Sequence, residues 1–245
     1  MAAAIAALLP ARRRRPRSSP NADETRRRVV EAAGEVFAEH GFHAPTIRQI
    51  TQRAGVNLAA VNYHFRDKDE LYATVLHHAH RAAAACALTV NAARPPREQL
   101  RACVRGFLQH LLGPARPAWH GRLLAREMAQ PTPALDSLVE ESMRPRCETL
   151  AAILRALTGN RLPRAQHNRI GLSIVGQCLI YSQNRALIER LFPPAPAAAN
   201  QVDALADHIA QFSLGGIAAL LNQAKRRSQS PAITRRAPRR KLPAA

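Results

Sequence analysis

Paired cysteines are missing from this chain, and with them two ways of holding a small fold together. Cys86, Cys103, Cys147 and Cys178 stand singly among 245 residues, with no Cys-x-x-Cys spacing. Neither a zinc site nor a disulfide framework is indicated, and reduced, mostly buried thiols are expected. Glycine is scarce, at 11 residues placed mostly at turns. There is no Gly-rich phosphate loop, nucleophile elbow, His-Glu-x-x-His pair or carboxylate dyad, so catalysis is not expected and no cofactor is implied. His77 and His80 lie one helical turn apart with His78 between them. The sequence places no third ligand beside them, so they are read as part of an exposed interdomain helix and not as a metal site. Strand-like alternation is also absent, and the chain is expected to be all-α.

Lysine is nearly absent, at three of the 36 basic residues, and the arginine excess is uneven. Residues 1–22 carry five arginines and no acid, and residues 224–245 carry eight basic residues and no acid. The 201 residues between them hold 23 basic and 17 acidic side chains, only +6 of the chain's +19. Both ends are rich in Pro, Ala, Ser and Arg without apolar periodicity, so they are expected to be disordered tails. Such tails can lie along phosphates and strengthen binding through counterion release, or they can be solvated arms of an arginine-rich chain. The 47% apolar content is enough for one small and one larger core. The apolar run Met1–Leu9 is too short to span a bilayer, and charges follow it instead of preceding it. A cytoplasmic, nucleoid-associated protein with no membrane partner is expected.

The most informative stretch is residues 46–71, TIRQITQRAGVNLAAVNYHFRDKDEL. Thr46 and Gln49 have capping-box spacing, which predicts a helix start. Ile47, Ile50 and Ala54 recur at helical spacing, and Gly55 stands where a helix end takes a left-handed residue. Asn57 is a good N-cap for a second short helix, Leu58–Tyr63, whose first turn can enter a major groove. Asp67 and Glu70 repeat the cap logic and open a further helix through Leu71, Tyr72 and Val75.

Thr46, Arg48, Ile50, Ala54-Gly55-Val56, His64-Phe65, Lys68 and Leu71 together resemble the signature of the TetR-type bacterial transcriptional regulators. Upstream, Ala32-Ala33, Phe37 and His40-Gly41-Phe42 look like that family's first helix and its exit. Asn57, Ala59, Val61-Asn62 and Tyr63 depart from the usual pattern, so base preference is not carried over. The resemblance implies a three-helix helix-turn-helix DNA-binding domain over residues 23–75 and a larger helical ligand-binding and dimerisation domain over 76–223. Arg48, Asn57, Tyr63, His64 and Lys68 are expected to meet phosphates. Leu58, Ala59, Ala60 and Asn62 are expected at the groove. Asn62 can pair with adenine, a bidentate contact giving about 1–3 kcal/mol of discrimination. Phe65 is read as packing.

Beyond residue 75 the pattern stays helical. Leu71–Cys86 is expected to form one helix, with residues 82–85 as a connector. Leu100, Val104, Phe107, Leu108 and Leu111 form a stripe that Gly113-Pro114 ends. Trp119 to Met128 make the next helix, and Leu135 to Leu157 another, with a bend near Arg144 because Pro145 lies inside it. Helices over 164–191 and 202–222 follow. The small residues Gly215, Gly216 and Ala218 suit close packing, so a homodimer through the last two helices is expected, reading a double-stranded palindromic operator; the family resemblance implies the same. Arg126–Pro133, Met143-Arg144-Pro145 and Ser173–Tyr181 resemble the CecR-type (CerR-type) branch, which implies a repressor of transport or drug-resistance functions.

The resemblance also implies an unidentified small-molecule effector. Ser173, Gln177, Tyr181 and Asn184 recur along one stripe of an apolar helix and, if buried, need partners from a ligand, the other subunit or neighbouring helices. Arg126 and Glu127 near Trp119 form a further candidate wall. The alternative to a sequence-specific regulator is a nonspecific nucleic-acid-binding protein driven by its basic tails.

Overall fold

The computed structural model describes residues 20–81, 93–113, 117–193 and 201–229. The outer parts of both basic ends, the connector at 82–85 and Cys86 lie outside the described residues. Within them the chain is helical, with no strand: α1 (Pro20–His40), α2 (Ile47–Ala54), α3 (Leu58–His64), α4 (Lys68–Arg81), α5 (Pro96–Leu112), α6 (Ala118–Ala129), α7 (Ala134–Leu138), α8 (Arg144–Thr158), α9 (Arg164–Gln183), α10 (Arg185–Leu191) and α11 (Val202–Gln229).

Two apolar cores organise these helices. In the first, Val29, Ala33 and Phe37 of α1 share a stripe that meets Ile50 of α2, Val61 of α3 and Leu71, Tyr72, Val75 and Leu76 of α4. Phe37 meets Tyr72 edge-on with ring centroids 4.9 Å apart. This core does not close at residue 75, because Trp119 and Leu123 of α6 are buried in it. The indole lies directly against α1: a β-carbon at Gly34 would sit 2.4 Å from two of its ring carbons. The second core joins Leu100, Val104 and Leu108 of α5 to Ile153 and Leu154 of α8, Ile170 and Ile174 of α9, and Leu205 and Ile209 of α11. Arg101 pairs with Asp207 and Arg105 with Asp203 across the α5–α11 seam. These pairs are solvent-exposed and fix register more than they stabilise.

Glu127, expected in an effector wall, is instead a buried carboxyl of the core. Glu127 on α6 is fully buried. Its Oε2 accepts from the Tyr72 hydroxyl at 2.7 Å, and its Oε1 accepts from the Thr132 amide and hydroxyl at 2.8 and 3.0 Å. Burial, followed by this bond, pushes the Tyr72 phenol well above its ordinary pKa, so it remains a donor. A charged group in a core is tolerable when its oxygens are satisfied in this way.

Several boundaries differ from expectation. α1 begins at Pro20, inside the segment expected to be a tail, and α11 continues to Gln229. Lys225, Arg226 and Arg227 therefore lie in its last turns, where the exposed carbonyls favour cations. The expected 164–191 helix is two: the Asn184 amide ends α9 on the Ile180 carbonyl at 3.0 Å, while its own carbonyl starts α10 by accepting from Leu187 and Ile188. The bend near Arg144 takes the form of a π-helical turn, Val139–Met143, with Pro145 in the first turn of α8, where a missing N–H costs nothing. Of the histidines of α4, His80 is buried, while His77 and His78 are half-buried. His77 bonds Ser137 and Ser142 at 2.8 and 3.1 Å, and His80 is buried beside Arg146. Cys103 and Cys178 are buried, and burial pushes both thiols up to about 12; Cys147, against expectation, is exposed. α11 is long and apolar enough to cross a membrane by length and composition, but its inner face packs in the second core.

Gly34→Ala should lower stability by about 1–3 kcal/mol because the added methyl meets a rigid ring with no room to move. That loss exceeds the gain of up to about 1 kcal/mol in helix propensity. A thermal melt unchanged or raised by the substitution would show that the indole does not fill this notch.

Candidate nucleic-acid interface

The reading unit is assembled from caps. The Gln49 amide donates to Thr46 Oγ1 at 3.3 Å and the Thr46 amide donates to Gln49 Oε1 at 2.7 Å, so the capping box forms in both directions. At the other end of α2, Gly55 has φ 63° and ψ 39°, a left-handed conformation that side-chain-bearing residues adopt only at a cost. Arg28, reaching from α1, donates to the carbonyls of Ala54 and Gly55 at 2.6 and 3.1 Å. It supplies donors to carbonyls that the end of the helix leaves open. No local sequence signal marks this contact, because 26 residues separate the partners. Asn57 Oδ1 then accepts from the Ala60 amide at 2.8 Å and starts α3.

α3 has two faces. Val61 is 2% exposed and anchors it to the first core. On the opposite arc Leu58, Ala59, Asn62 and Tyr63 are exposed, with Leu58 at 52% and Tyr63 at 76%. Apolar side chains left in water on so short a helix, beside an amide and a phenol, present a surface suited to thymine methyls and base edges. Ala60 and His64 lie on the shoulders of the helix and are half-buried. Phe65 is buried, as packing requires, and Arg26 of α1 lies 5.4 Å from its ring centroid. Arg48 is exposed on α2.

Lys68 is placed differently from the expected phosphate contact. Its ammonium donates to the His43 carbonyl at 3.0 Å, lies 4.9 Å from the Phe42 ring centroid, and has a pKa lowered by burial. It fastens the α1–α2 loop to the start of α4. Arg66, which sequence reading passed over, is the more open cation at this edge, with a side chain 82% exposed and Asp67 at 3.4 Å. Asp67 caps α4 by accepting from the Glu70 amide at 2.8 Å, while Glu70 reaches back to the Arg66 amide at 3.0 Å, one residue short of a capping box.

The residues expected around an effector do not form one site. Trp119 belongs to the first core, and Arg126 donates to the Glu39 carbonyl at the end of α1 at 3.3 Å. On the α9 stripe Ser173 is exposed and Gln177, Tyr181 and Asn184 are half-buried. Ser173 is exposed and bonds the Arg169 carbonyl at 2.9 Å, and Gln177 bonds the Ser173 carbonyl at 3.2 Å. Their own helix supplies the partners that a buried stripe would have demanded from elsewhere. Tyr181 is half-buried against the second core, and Asn184 forms the α9–α10 break.

A box-capped helix, a left-handed turn and a short helix with an open apolar-polar face define a helix-turn-helix DNA-binding protein. Comparison with known proteins gives the family. Residues 29–75 match the model described as bacterial regulatory proteins, tetR family, and residues 96–217 match that of the HTH-type transcriptional dual regulator CecR, C-terminal domain. The chain belongs to the TetR family of transcriptional regulators and carries a CecR-like C-terminal domain; it is a non-enzymatic transcription factor. It is 34% identical over 90 residues to the HTH-type transcriptional activator FasR of Mycolicibacterium smegmatis, covering 36% of this chain and 41% of that protein. It is 42% identical over 60 residues to the HTH-type transcriptional regulator SrpR of Pseudomonas putida, covering 24% and 28%. The chain thus spans less than half the length of these curated relatives. Among solved structures, a TetR-like transcriptional regulator from Rhodococcus sp. RHA1 aligns with a TM-score of 0.57 at 25% identity, over 79% of this chain and 96% of that one. The regulator FadR of Bacillus subtilis, solved in complex with stearoyl-CoA, shares the fold with a TM-score of 0.58 at 16% identity, over 78% and 98%.

Asn57→Ala should cost about 1 kcal/mol by removing the N-cap of α3, and should speed amide exchange at the start of that helix before the rest of the domain opens. Unchanged exchange at Ala60 would show that the cap does not hold α3.

Proposed function

We propose that the chain is a ligand-responsive repressor that binds a palindromic operator as a homodimer through α9 and α11, and that its CecR-like domain directs it to efflux or transport genes. The observation carrying this reading is the pairing of an open α3 face with an open apolar face at the far end of the chain. Of the nine large apolar residues that are exposed among the described residues, Leu172, Ile180, Leu187, Leu191, Phe192 and Phe212 lie between α9 and α11. Gly176, Gly215 and Gly216 have open space where a β-carbon would stand, which lets another helix pair approach closely. Ser173 is exposed on the same helix, α9. An apolar surface of this kind on a folded chain marks an interface, and a two-fold pair of short reading helices doubles the base pairs contacted.

Leu58, Ala59, Asn62 and Tyr63 select sequence, with Ala60 at their edge; Arg48, Asn57, His64 and Arg66 position the unit on phosphates, and Lys68 supports it from behind. The unidentified effector shifts the dimer toward a state in which the two α3 helices are no longer about 34–36 Å apart. A hundredfold loss of operator affinity requires only about 2.7 kcal/mol of coupling. α4 and α6 carry it, because both are packed in the core of the reading unit. The protein acts in the cytoplasm.

Selection from a random duplex pool at near-physiological salt should return the same palindromic motif for the full chain and for residues 20–229, and Asn62→Ala with Tyr63→Ala should lose it. Binding without a motif, seen only with the full chain, would establish the tail-driven nonspecific binder instead. Leu172→Glu with Phe212→Glu should give a folded monomer by sedimentation, with operator affinity reduced more than tenfold. A dimer that survives both charges would place the interface elsewhere.

A further inference from the structure

The geometry points to a site for a borderline divalent transition-metal ion, of the Zn2+ class, held by Glu31 of α1, His78 of α4 and His120 of α6. Three helices bring these residues together from far apart in the sequence, and their candidate ligand atoms all lie within 4.8 Å of one another. Glu31 Oε1 and His78 Nε2 are 3.2 Å apart. That is about the edge of a tetrahedron whose metal–ligand bonds are roughly 2.0–2.1 Å. The third ligand closes by a small torsional change of Glu31 or His78, both half-exposed, toward His120, which is 1% exposed and fixed.

The surroundings are those of a built site. Glu31 Oε2 accepts from Trp119 Nε1 at 3.2 Å, which orients the carboxylate and leaves Oε1 facing His78, the kind of outer-shell bond that steers metal ligands. The indole also flanks both imidazoles, stacked with His78 at 6.1 Å between centroids and edge-on to His120 at 4.1 Å. The floor of the site is therefore apolar and rigid, and its mouth, between Glu31 and His78, opens to water. Two imidazoles and one carboxylate exclude Mg2+ and Ca2+, which need a shell of oxygens. The absence of a thiol from the trio argues against Cu(I). A fourth position remains for water. An ion here ties α1 and α4 of the reading unit to α6 of the regulatory domain. That mechanical consequence rests on the DNA-binding reading, whereas the site itself does not.

Trp119 is the only tryptophan in the chain, so its fluorescence reports on this site alone. Titrating the untagged full chain with Co2+ should give saturable quenching at one ion per chain, displaced by Zn2+. Glu31→Gln and His78→Gln, each checked for an intact melting transition, should each weaken Co2+ at least tenfold. Quenching that never saturates, one-to-one binding that leaves Trp119 unaffected, or both folded variants binding Co2+ as tightly as the parent would overturn the assignment.

Discussion

The contact between the Trp119 indole and α1 at Gly34 is the constraint on which the rest of the molecule depends. A glycine in mid-helix is unfavourable by about 0.5–1 kcal/mol relative to alanine, and here it makes room for a large ring from a helix 85 residues later. The indole removes apolar surface from water and brings its N–H to Glu31. It draws α6 into the core of the reading unit, so the two parts of the chain share one packed boundary and are not joined by a linker alone. Because packed interiors transmit displacement poorly by compression and well by rigid motion, a shift of α6 must carry α1 with it.

α4 completes this connection from the other side. Its N-terminal half lies in the first core, while its C-terminal half carries side chains bonded outward: His77 to Ser137 and Ser142, and His80 beside Arg146. The buried Tyr72–Glu127–Thr132 chain joins α4 to α6 and to the turn that follows it. A buried polar network of this kind is directional where the apolar core is not, and it fixes the register of the two helices.

Much of the reading unit was legible in the sequence because its signals are local. The Thr46–Gln49 box, Gly55 and the Asn57 cap each act over three or four residues, and each stands where its spacing predicts. The break in helical winding just before Pro145 was legible for the same reason. What escaped was long-range. Arg28 at the end of α2, the bonding of Glu127 beneath Tyr72 and the burial of His80 depend on how helices meet, which no local spacing encodes. The α9 stripe stayed open because a row of hydrogen-bonding side chains reads the same whether it faces a core, a ligand, another subunit or solvent. The bond from Lys68 to the His43 carbonyl was not legible, because family position specifies a residue but not the direction of its ammonium group.

The turning-in of Lys68 has a consequence of a different kind. Lys68 is the only lysine before residue 225, and its amine is held by the His43 carbonyl under the Phe42 ring. The exposed permanent cations of the reading unit are therefore guanidinium groups. Guanidinium stays protonated across physiological pH and lies outside lysine acetylation. The guanidinium share of the charge this protein offers to a polyanion is thus fixed against both lysine acylation and mildly alkaline pH.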